Sequence, residues 1–130
     1  MLEAYQLTRR ASRIGFDWDN LQGIFEKLDE EKRELAELTI DSGKPQQKAS
    51  TRSEEEVGDL LFAAINIARF VGVDPEIALK KANRKFKTRF QWMENAAMQQ
   101  SKRLAEVPRE KMEDLWNEAK KALAAKAKSN

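Results

Sequence analysis

The sequence contains no cysteine and no histidine among its 130 residues. A disulfide framework is therefore impossible, and metal sites built from thiolate or imidazole ligands are excluded. The chain also lacks an apolar run of about 18 residues, which a membrane-spanning helix would need, and its start lacks the hydrophobic segment of a signal peptide. We therefore expect a cytoplasmic protein without a membrane partner.

Glycine and proline are scarce, at five and three residues, whereas 41% of the residues are hydrophobic and 35% are charged. This mixture is rich in Ala, Leu, Glu and Lys, and it favours helix over sheet. The formal net charge is only +2, so no global field marks the chain as a nucleic-acid binder. We predict a single all-α domain over residues 1–130, built as a bundle of about five helices.

Capping and helix-breaking residues give the approximate limits of these helices. The expected ranges are residues 2–13, 20–42, 53–72, 75–101 and 108–123. The start signals are Asp19, Ser53 with its following acids, Asp74 before Pro75, and Pro108. Gly15, Gly43 and Gly72 mark ends, and residues 43–51 read as a polar loop. Residues 1–18 form a leading helix and turn in this scheme, and residues 124–130 are expected to fray.

The third predicted helix contains a run of apolar residues, 60–71, in which only Asn66 and Arg69 are polar. A helix that is apolar nearly all round is buried nearly all round, and one chain of five helices supplies too little cover. We therefore expect a homodimer. At about 100° per residue, Glu56 and Asp59 lie on the same stripe as Asn66. Buried charges are costly unless they are paired or bound to a metal, so these acids need an explanation.

The second predicted helix carries acids in comparable positions. Glu31 occupies the place that should join Leu28 to Leu35 in the apolar stripe, and Glu34 lies at the edge of the same face. If the stripes of the two helices pack together, these acids meet Glu56 and Asp59. The alternative is a solvated, salt-bridged helix face over residues 30–37, which the second helix alone would favour.

Four converging carboxylates need protons or cations to relieve their repulsion, since one like-charge pair about 4 Å apart costs about 4 kcal/mol at an effective dielectric constant of about 20. Oxygen ligands without histidine or cysteine select hard cations, so Mg²⁺ is expected, with Mn²⁺ as a substitute. A di-iron bundle would need a Glu-x-x-His pair, which a chain without histidine cannot supply.

The fourth predicted helix is basic. Lys85 and Arg89 lie four residues apart, beside an expected core stripe of Leu79, Ala82, Phe86, Phe90 and Met93. Residues 80–103 contain eight basic residues and one acid, Glu94. A basic helix beside an acidic metal site is what a triphosphate requires. Two alternatives remain open: a solvated surface, and a non-catalytic module that binds nucleic acid or an acidic partner through residues 80–103.

These motifs resemble the MazG family of nucleoside triphosphate pyrophosphohydrolases, whose signature is Glu-Glu-x-x-Glu, a spacer and Glu-x-x-Asp. The signature reads here as residues 30–34 and 56–59, separated by the 21 residues 35–55. Its context supports the resemblance, with Gly15-Phe16-Asp17-Trp18 upstream and residues 58–62 and 82–90 around and after the acids. The resemblance covers most of residues 13–116 and is closest to the C-terminal domain of two-domain MazG proteins.

The resemblance implies an all-α fold that dimerises and converts a nucleoside triphosphate and water to a nucleoside monophosphate and pyrophosphate. The implied metal ligands are Glu31, Glu34, Glu56 and Asp59, and Glu30 or Glu34 would orient or deprotonate the attacking water. The implied substrate contacts are Lys85, Arg89, Trp116 and Arg52. Arg52 stands where the family has a lysine, and the two are not interchangeable at phosphates. Phe62 or Trp116 can stack on a base, although an aromatic residue in a bundle is more often part of the core.

Overall fold

The computed structural model describes residues 1–39 and 50–129. Within them it contains five α-helices, one short 3-10 turn and no strand, which confirms the predicted all-α class. The helices are α1 (Leu2–Arg13), α2 (Leu21–Thr39), α3 (Thr51–Phe70), α4 (Pro75–Gln99) and α5 (Arg109–Ser129), with the 3-10 turn at Leu104–Glu106. The predicted end of the second helix near Ser42 and most of the predicted loop, residues 43–49, lie outside the described residues.

The chain forms two compact units, Met1–Ala78 and Leu79–Asn130. In the first unit α3 packs against both α2 and α1, around the buried side chains of Ile24, Ala63 and Ile65. In the second unit the buried apolar residues are Met93, Ala97 and Ala119. The helices that carry the predicted metal ligands therefore belong to the first unit, and no described helix in either unit is long and apolar enough to cross a membrane.

Two helices begin with a cap other than the predicted one. The Asn20 side-chain oxygen accepts a hydrogen bond from the Gly23 N–H at 3.0 Å, so Asn20 and not Asp19 caps α2. The α3 cap is Ser50, whose Oγ accepts from the Ser53 N–H at 3.1 Å. Ser53 therefore lies inside the first turn, because the two residues before it are already helical and Ser50 supplies the same kind of oxygen one turn earlier.

Most of the other helix limits agree with those predicted from the sequence. Helix α1 ends at Arg13 before Gly15, whose φ of +90° is readily adopted only by glycine. The Asp74 side chain accepts hydrogen bonds from the Glu76 and Ile77 N–H groups and so caps α4. Helix α5 continues to Ser129, although the sequence predicts fraying from residue 124, because alanine and lysine are strong helix formers.

The apolar stripes of α3 and α4 are less covered than their composition predicts. Phe86 is 58% exposed and Phe90 is 40% exposed, so only the Met93 end of the expected α4 core stripe is buried. On α3, Val57, Leu61 and Ala64 form an exposed apolar face, here called the α3 outer face, with Leu61 46% exposed. The single chain therefore leaves part of α3 uncovered, as expected for a helix that needs a further surface, and the dimer expected to supply that surface stays a prediction.

Candidate functional site

Three of the four predicted metal ligands meet where α2 packs against α3. Carboxylate oxygens of Glu31, Glu56 and Asp59 all lie within 4.8 Å of one another, and we call these residues the acid cluster. Glu31 is 2% exposed and Glu56 is 9% exposed, whereas Asp59 is exposed. The predicted α3 stripe is thus buried at Glu56 and Asn66 but not at Asp59.

The fourth predicted ligand, Glu34, is half-buried beside the acid cluster. Burial raises the pKa of the Glu56 carboxyl above its ordinary value, and the neighbouring carboxyls of Glu34 and Glu31 raise it further. Each of these effects disfavours the ionised form of Glu56. The cluster therefore resists carrying its full negative charge unless a cation is present.

Lys27 supplies part of the missing positive charge. Its Nζ lies 2.6 Å from Glu31 Oε1 and 3.2 Å from Glu30 Oε2, and these two carboxylates, Glu31 first, hold the pKa of Lys27 well above its usual range. Lys27 was not predicted to be a functional residue, although its position one helical turn before Glu31 indicates a possible ion pair. Glu30 is thus paired with Lys27 and is not a member of the acid cluster.

One oxygen of the buried Glu31 carboxylate stays uncompensated. Glu31 Oε2 is buried and has no hydrogen-bond partner among the described residues. An orphaned carboxylate oxygen beside two further carboxylates is a donor set made only of oxygen, which is the kind that hard divalent cations prefer. The residues present therefore fit such a metal ion.

A cavity of about 730 Å³ opens beside the acid cluster within the first unit. Its wall includes Glu31, Asp59 and Lys27, so carboxylates of the acid cluster border it directly. The wall also carries three aromatic side chains and five further polar ones: Phe16, Trp18, Phe62, Thr8, Asp17, Asp19, Asn66 and Arg69. A cavity that combines aromatic surfaces with polar groups beside an acid cluster is a typical small-molecule site.

An ion pair fixes one part of that wall. The Arg69 guanidinium donates two hydrogen bonds to the Asp17 carboxylate, one of them from Nη1 to Oδ2 at 3.0 Å, and Nη2 also donates to Asn66 Oδ1 at 3.2 Å. Arg69 lowers the pKa of Asp17 below its ordinary value. The pair joins α3 to the segment between α1 and α2, and it explains the two polar residues in the apolar run of α3.

Three of the four predicted substrate contacts, Lys85, Arg89 and Trp116, lie in the second unit. The Arg89 guanidinium stacks over the Trp116 ring at 5.4 Å from its centroid, and Phe86 packs against the same ring. Arg89 and Lys85 line a cavity of about 470 Å³ whose wall also contains Lys81, Arg84 and Lys120. Arg52, the remaining predicted contact, is exposed in the first turn of α3.

Two curated proteins are similar to most of this chain, whereas no family model matches it. The nucleoside triphosphate pyrophosphohydrolase/pyrophosphatase MazG of Thermotoga maritima is 43% identical over 117 residues, which cover 90% of this chain and 42% of that protein. The nucleoside triphosphate pyrophosphohydrolase of Escherichia coli K12 is 35% identical over 125 residues, covering 93% and 44%. The chain is therefore similar to proteins named as nucleoside triphosphate pyrophosphohydrolases, one of them a MazG protein.

The chain is also similar to the uncharacterized protein YabN of Bacillus subtilis, at 48% identity over 65 residues, or 50% of this chain and 13% of that protein. The chain spans less than half the length of the curated relatives it matches. The similarity to the first two covers about nine-tenths of its residues.

The Asp17–Arg69 pair predicts a specific pH dependence of stability. Replacing Asp17 with Asn should lower the free energy of unfolding by about 1–3 kcal/mol at pH 7, because the mostly buried guanidinium loses its charged partner. The lowered pKa of Asp17 stabilises the folded state above the unfolded-state pKa, and this contribution is lost as the pH falls through the folded-state value. The difference between parent and Asp17→Asn, measured by urea unfolding, should therefore be constant above about pH 5 and shrink below about pH 4.

A matched control for this measurement is Asp114→Asn, which makes the same chemical change at an exposed position on α5. It should leave the stability within about 0.5 kcal/mol of the parent at all these pH values. An equal pH dependence for both variants would contradict the role of the ion pair.

Proposed function

We propose that this chain hydrolyses nucleoside triphosphates to nucleoside monophosphates and pyrophosphate with the help of Mg²⁺, for which Mn²⁺ can substitute. The observation that carries the proposal is the acid cluster with its buried, unpartnered Glu31 oxygen, because that arrangement calls for a hard cation. The names of the T. maritima and E. coli relatives indicate the reaction class. The resemblance to the C-terminal domain of two-domain MazG proteins remains part of the proposal.

In the proposed mechanism Glu31, Glu56 and Asp59 would hold the metal, and Glu34 would complete the set from its place beside Glu56. A divalent cation held there would supply polarisation of the reacting phosphorus and a lowered pKa of a bound water. Glu30 or Glu34 would orient the attacking water or accept its proton. The geometry favours Glu34, since Glu30 is held by Lys27 outside the acid cluster.

The triphosphate needs positive charge on the phosphates that do not react. Lys85 and Arg89 are proposed to neutralise the pyrophosphate leaving group, and the cation–π contact with Trp116 orders the Arg89 guanidinium. Arg52 is a further candidate contact, because it lies in the first turn of α3, where backbone N–H groups also favour an anion. Trp116 thereby acts through Arg89, which makes a base-stacking role for Trp116 less favoured than one for Phe62.

The nucleoside is proposed to occupy the cavity beside the acid cluster. Its volume of about 730 Å³ suits a small molecule, and Phe62, which is 42% exposed, and Trp18 offer aromatic surfaces to a base. The Asp17–Arg69–Asn66 group lies in the same wall, where it can distinguish bases by their hydrogen-bonding edges.

The competing hypothesis is a module without catalytic activity that binds nucleic acid or an acidic partner through residues 80–103. The observation in its favour is the second cavity, whose lining includes Lys81, Arg84, Lys85, Arg89 and Lys120. Such binding would weaken steeply with salt and would not need a divalent metal. The acid cluster has no part in that function, and the relatives' names do not mention it.

We also propose that the chain acts as a homodimer in the cytoplasm. The α3 outer face leaves Val57 at 41% and Leu61 at 46% exposure, and a second copy of the chain would cover it. Light scattering at micromolar concentration should report a dimer. Leu61→Lys should shift the equilibrium to monomer, whereas Met98→Lys, at a more exposed apolar position of α4, should not. A monomeric parent protein would refute the proposal.

The decisive experiment is pyrophosphate release measured with a panel of ribo- and deoxyribonucleoside triphosphates. Activity should require Mg²⁺ and disappear with EDTA. Glu56→Gln should lower kcat/KM by about a hundredfold or more, since a metal ligand is weakened. The melting temperature without metal should hold or rise in this variant, because burial and repulsion disfavour the native charge. Loss of folding together with activity would identify Glu56 as structural instead.

Arg89→Ala tests the proposed phosphate contact. Removing one charged hydrogen-bonding group costs about 1.5–3 kcal/mol, which corresponds to roughly 10- to 150-fold in kcat/KM. Arg89→Lys should recover only part of this loss, because the planar fork is absent. The Mg²⁺ affinity of the free protein should not fall, since Arg89 is a cation and not a ligand.

Lys87→Ala is the matched control on the same helix, because Lys87 is exposed and does not line the second cavity. It should hydrolyse nucleoside triphosphates as the parent does, and circular dichroism should confirm that both variants fold. Parent-like activity of Arg89→Ala would assign α4 to the solvated surface.

A further inference from the structure

The proposed metal site gives Lys27 no role, although Lys27 contacts one of its predicted ligands, Glu31. Lys27 forms its shortest contact, 2.6 Å, with the most deeply buried carboxylate of the acid cluster, and it lines the adjoining cavity. Its side chain is 41% exposed, whereas that of Glu31 is 3% exposed. The lysine therefore approaches the buried carboxylate from the accessible side, next to the place where a metal ion would bind.

The two oxygens of Glu31 have different surroundings. Oε1 is occupied by the Lys27 ammonium, and Oε2 has no hydrogen-bond partner among the described residues. A divalent cation on the Oε2 side would stand only a few ångströms from the ammonium, and the two positive charges would repel each other. The ammonium and the metal ion therefore compete for the same carboxylate.

Lys27 also has a second carboxylate within reach. Glu30 Oε2 lies 3.2 Å from Nζ, and the Glu30 side chain is 45% exposed, so the ammonium keeps a partner if it leaves Glu31. The long, flexible lysine side chain permits this movement without a change in the α2 backbone. The pair Glu30 and Glu31 thus offers Lys27 one outer and one inner position.

We propose that Lys27 is a displaceable counter-ion of the metal site. In the metal-free protein its ammonium neutralises Glu31 and keeps the α2–α3 packing stable, and a bound divalent cation displaces it towards Glu30 and the cavity. Lys27 is in this sense a positioning residue: it holds the Glu31 carboxylate in place before the metal arrives, and it weakens the binding of the metal. The inference rests on the metal site proposed above.

The test compares Lys27→Met with the parent protein, using Mn²⁺ as the probe. Calorimetry and the electron paramagnetic resonance signal of free Mn²⁺ should show affinity about tenfold higher in Lys27→Met, because a competing charge is gone. Its melting temperature without metal should fall by several degrees, since a buried carboxylate loses its partner. Saturating Mn²⁺ should remove that difference in melting temperature.

Two variants control for other causes. Lys32→Met removes the same charge from the same helix, but Lys32 pairs with the exposed Asp29 at 3.2 Å, so Mn²⁺ affinity and melting temperature should stay at the parent values. Lys27→Arg keeps the charge and should retain an affinity within about twofold of the parent. A rise in affinity for both Lys27→Met and Lys32→Met would show a general charge effect and overturn the proposal.

The remaining outcomes separate this inference from the proposed function. If the parent binds Mn²⁺ and Lys27→Met binds it no more tightly, the counter-ion role is refuted and the metal site stands. If the parent binds no Mn²⁺, the metal site itself is refuted. Should Lys27→Met be unfolded without metal, refolding on addition of Mn²⁺ supports the proposal, and failure to refold at millimolar Mn²⁺ overturns it.

Discussion

A carboxylate buried between α2 and α3 sets the conditions for the rest of the first unit. Glu31 takes the position of a core leucine, and its side chain is only 3% exposed. A protein with a net stability of about 5–15 kcal/mol keeps a buried carboxylate only if its charge is compensated. Lys27, a protonated Glu56 and a divalent cation are three ways to supply that compensation, and they act on the same few oxygens. Stability and metal binding are therefore coupled at one place in the structure.

Helix α3 also holds the wall of the cavity beside the acid cluster in place. The segment between α1 and α2 has few apolar contacts of its own, since Phe16 is 80% exposed, and the Asp17–Arg69 ion pair anchors it to α3. The same helix thus carries predicted metal ligands near its start and the anchor of the cavity wall near its end. A change in the packing of α3 would disturb both.

Periodicity and capping chemistry were enough to predict the helices and the convergence of Glu31, Glu56 and Asp59, because an acid in an apolar stripe is visible in the sequence itself. The Asp17–Arg69 pair was not predictable in this way, since its members are 52 positions apart and nothing local links them. The exposure of Phe86 was missed, because an apolar stripe shows that a residue needs cover without showing which surface provides it. Lys27 was visible as a neighbour of Glu31, but only the distance identifies it as a partner.

The charges of this chain are divided between its two compact units, with the acid cluster in Met1–Ala78 and Lys85 and Arg89 in Leu79–Asn130. In the proposed reaction neither group is sufficient. Without a cation the acid cluster repels the triphosphate, and the basic residues hold phosphates but provide no ligand for a hard metal ion. The net charge of +2 therefore conceals an acidic group in one unit and a basic group in the other.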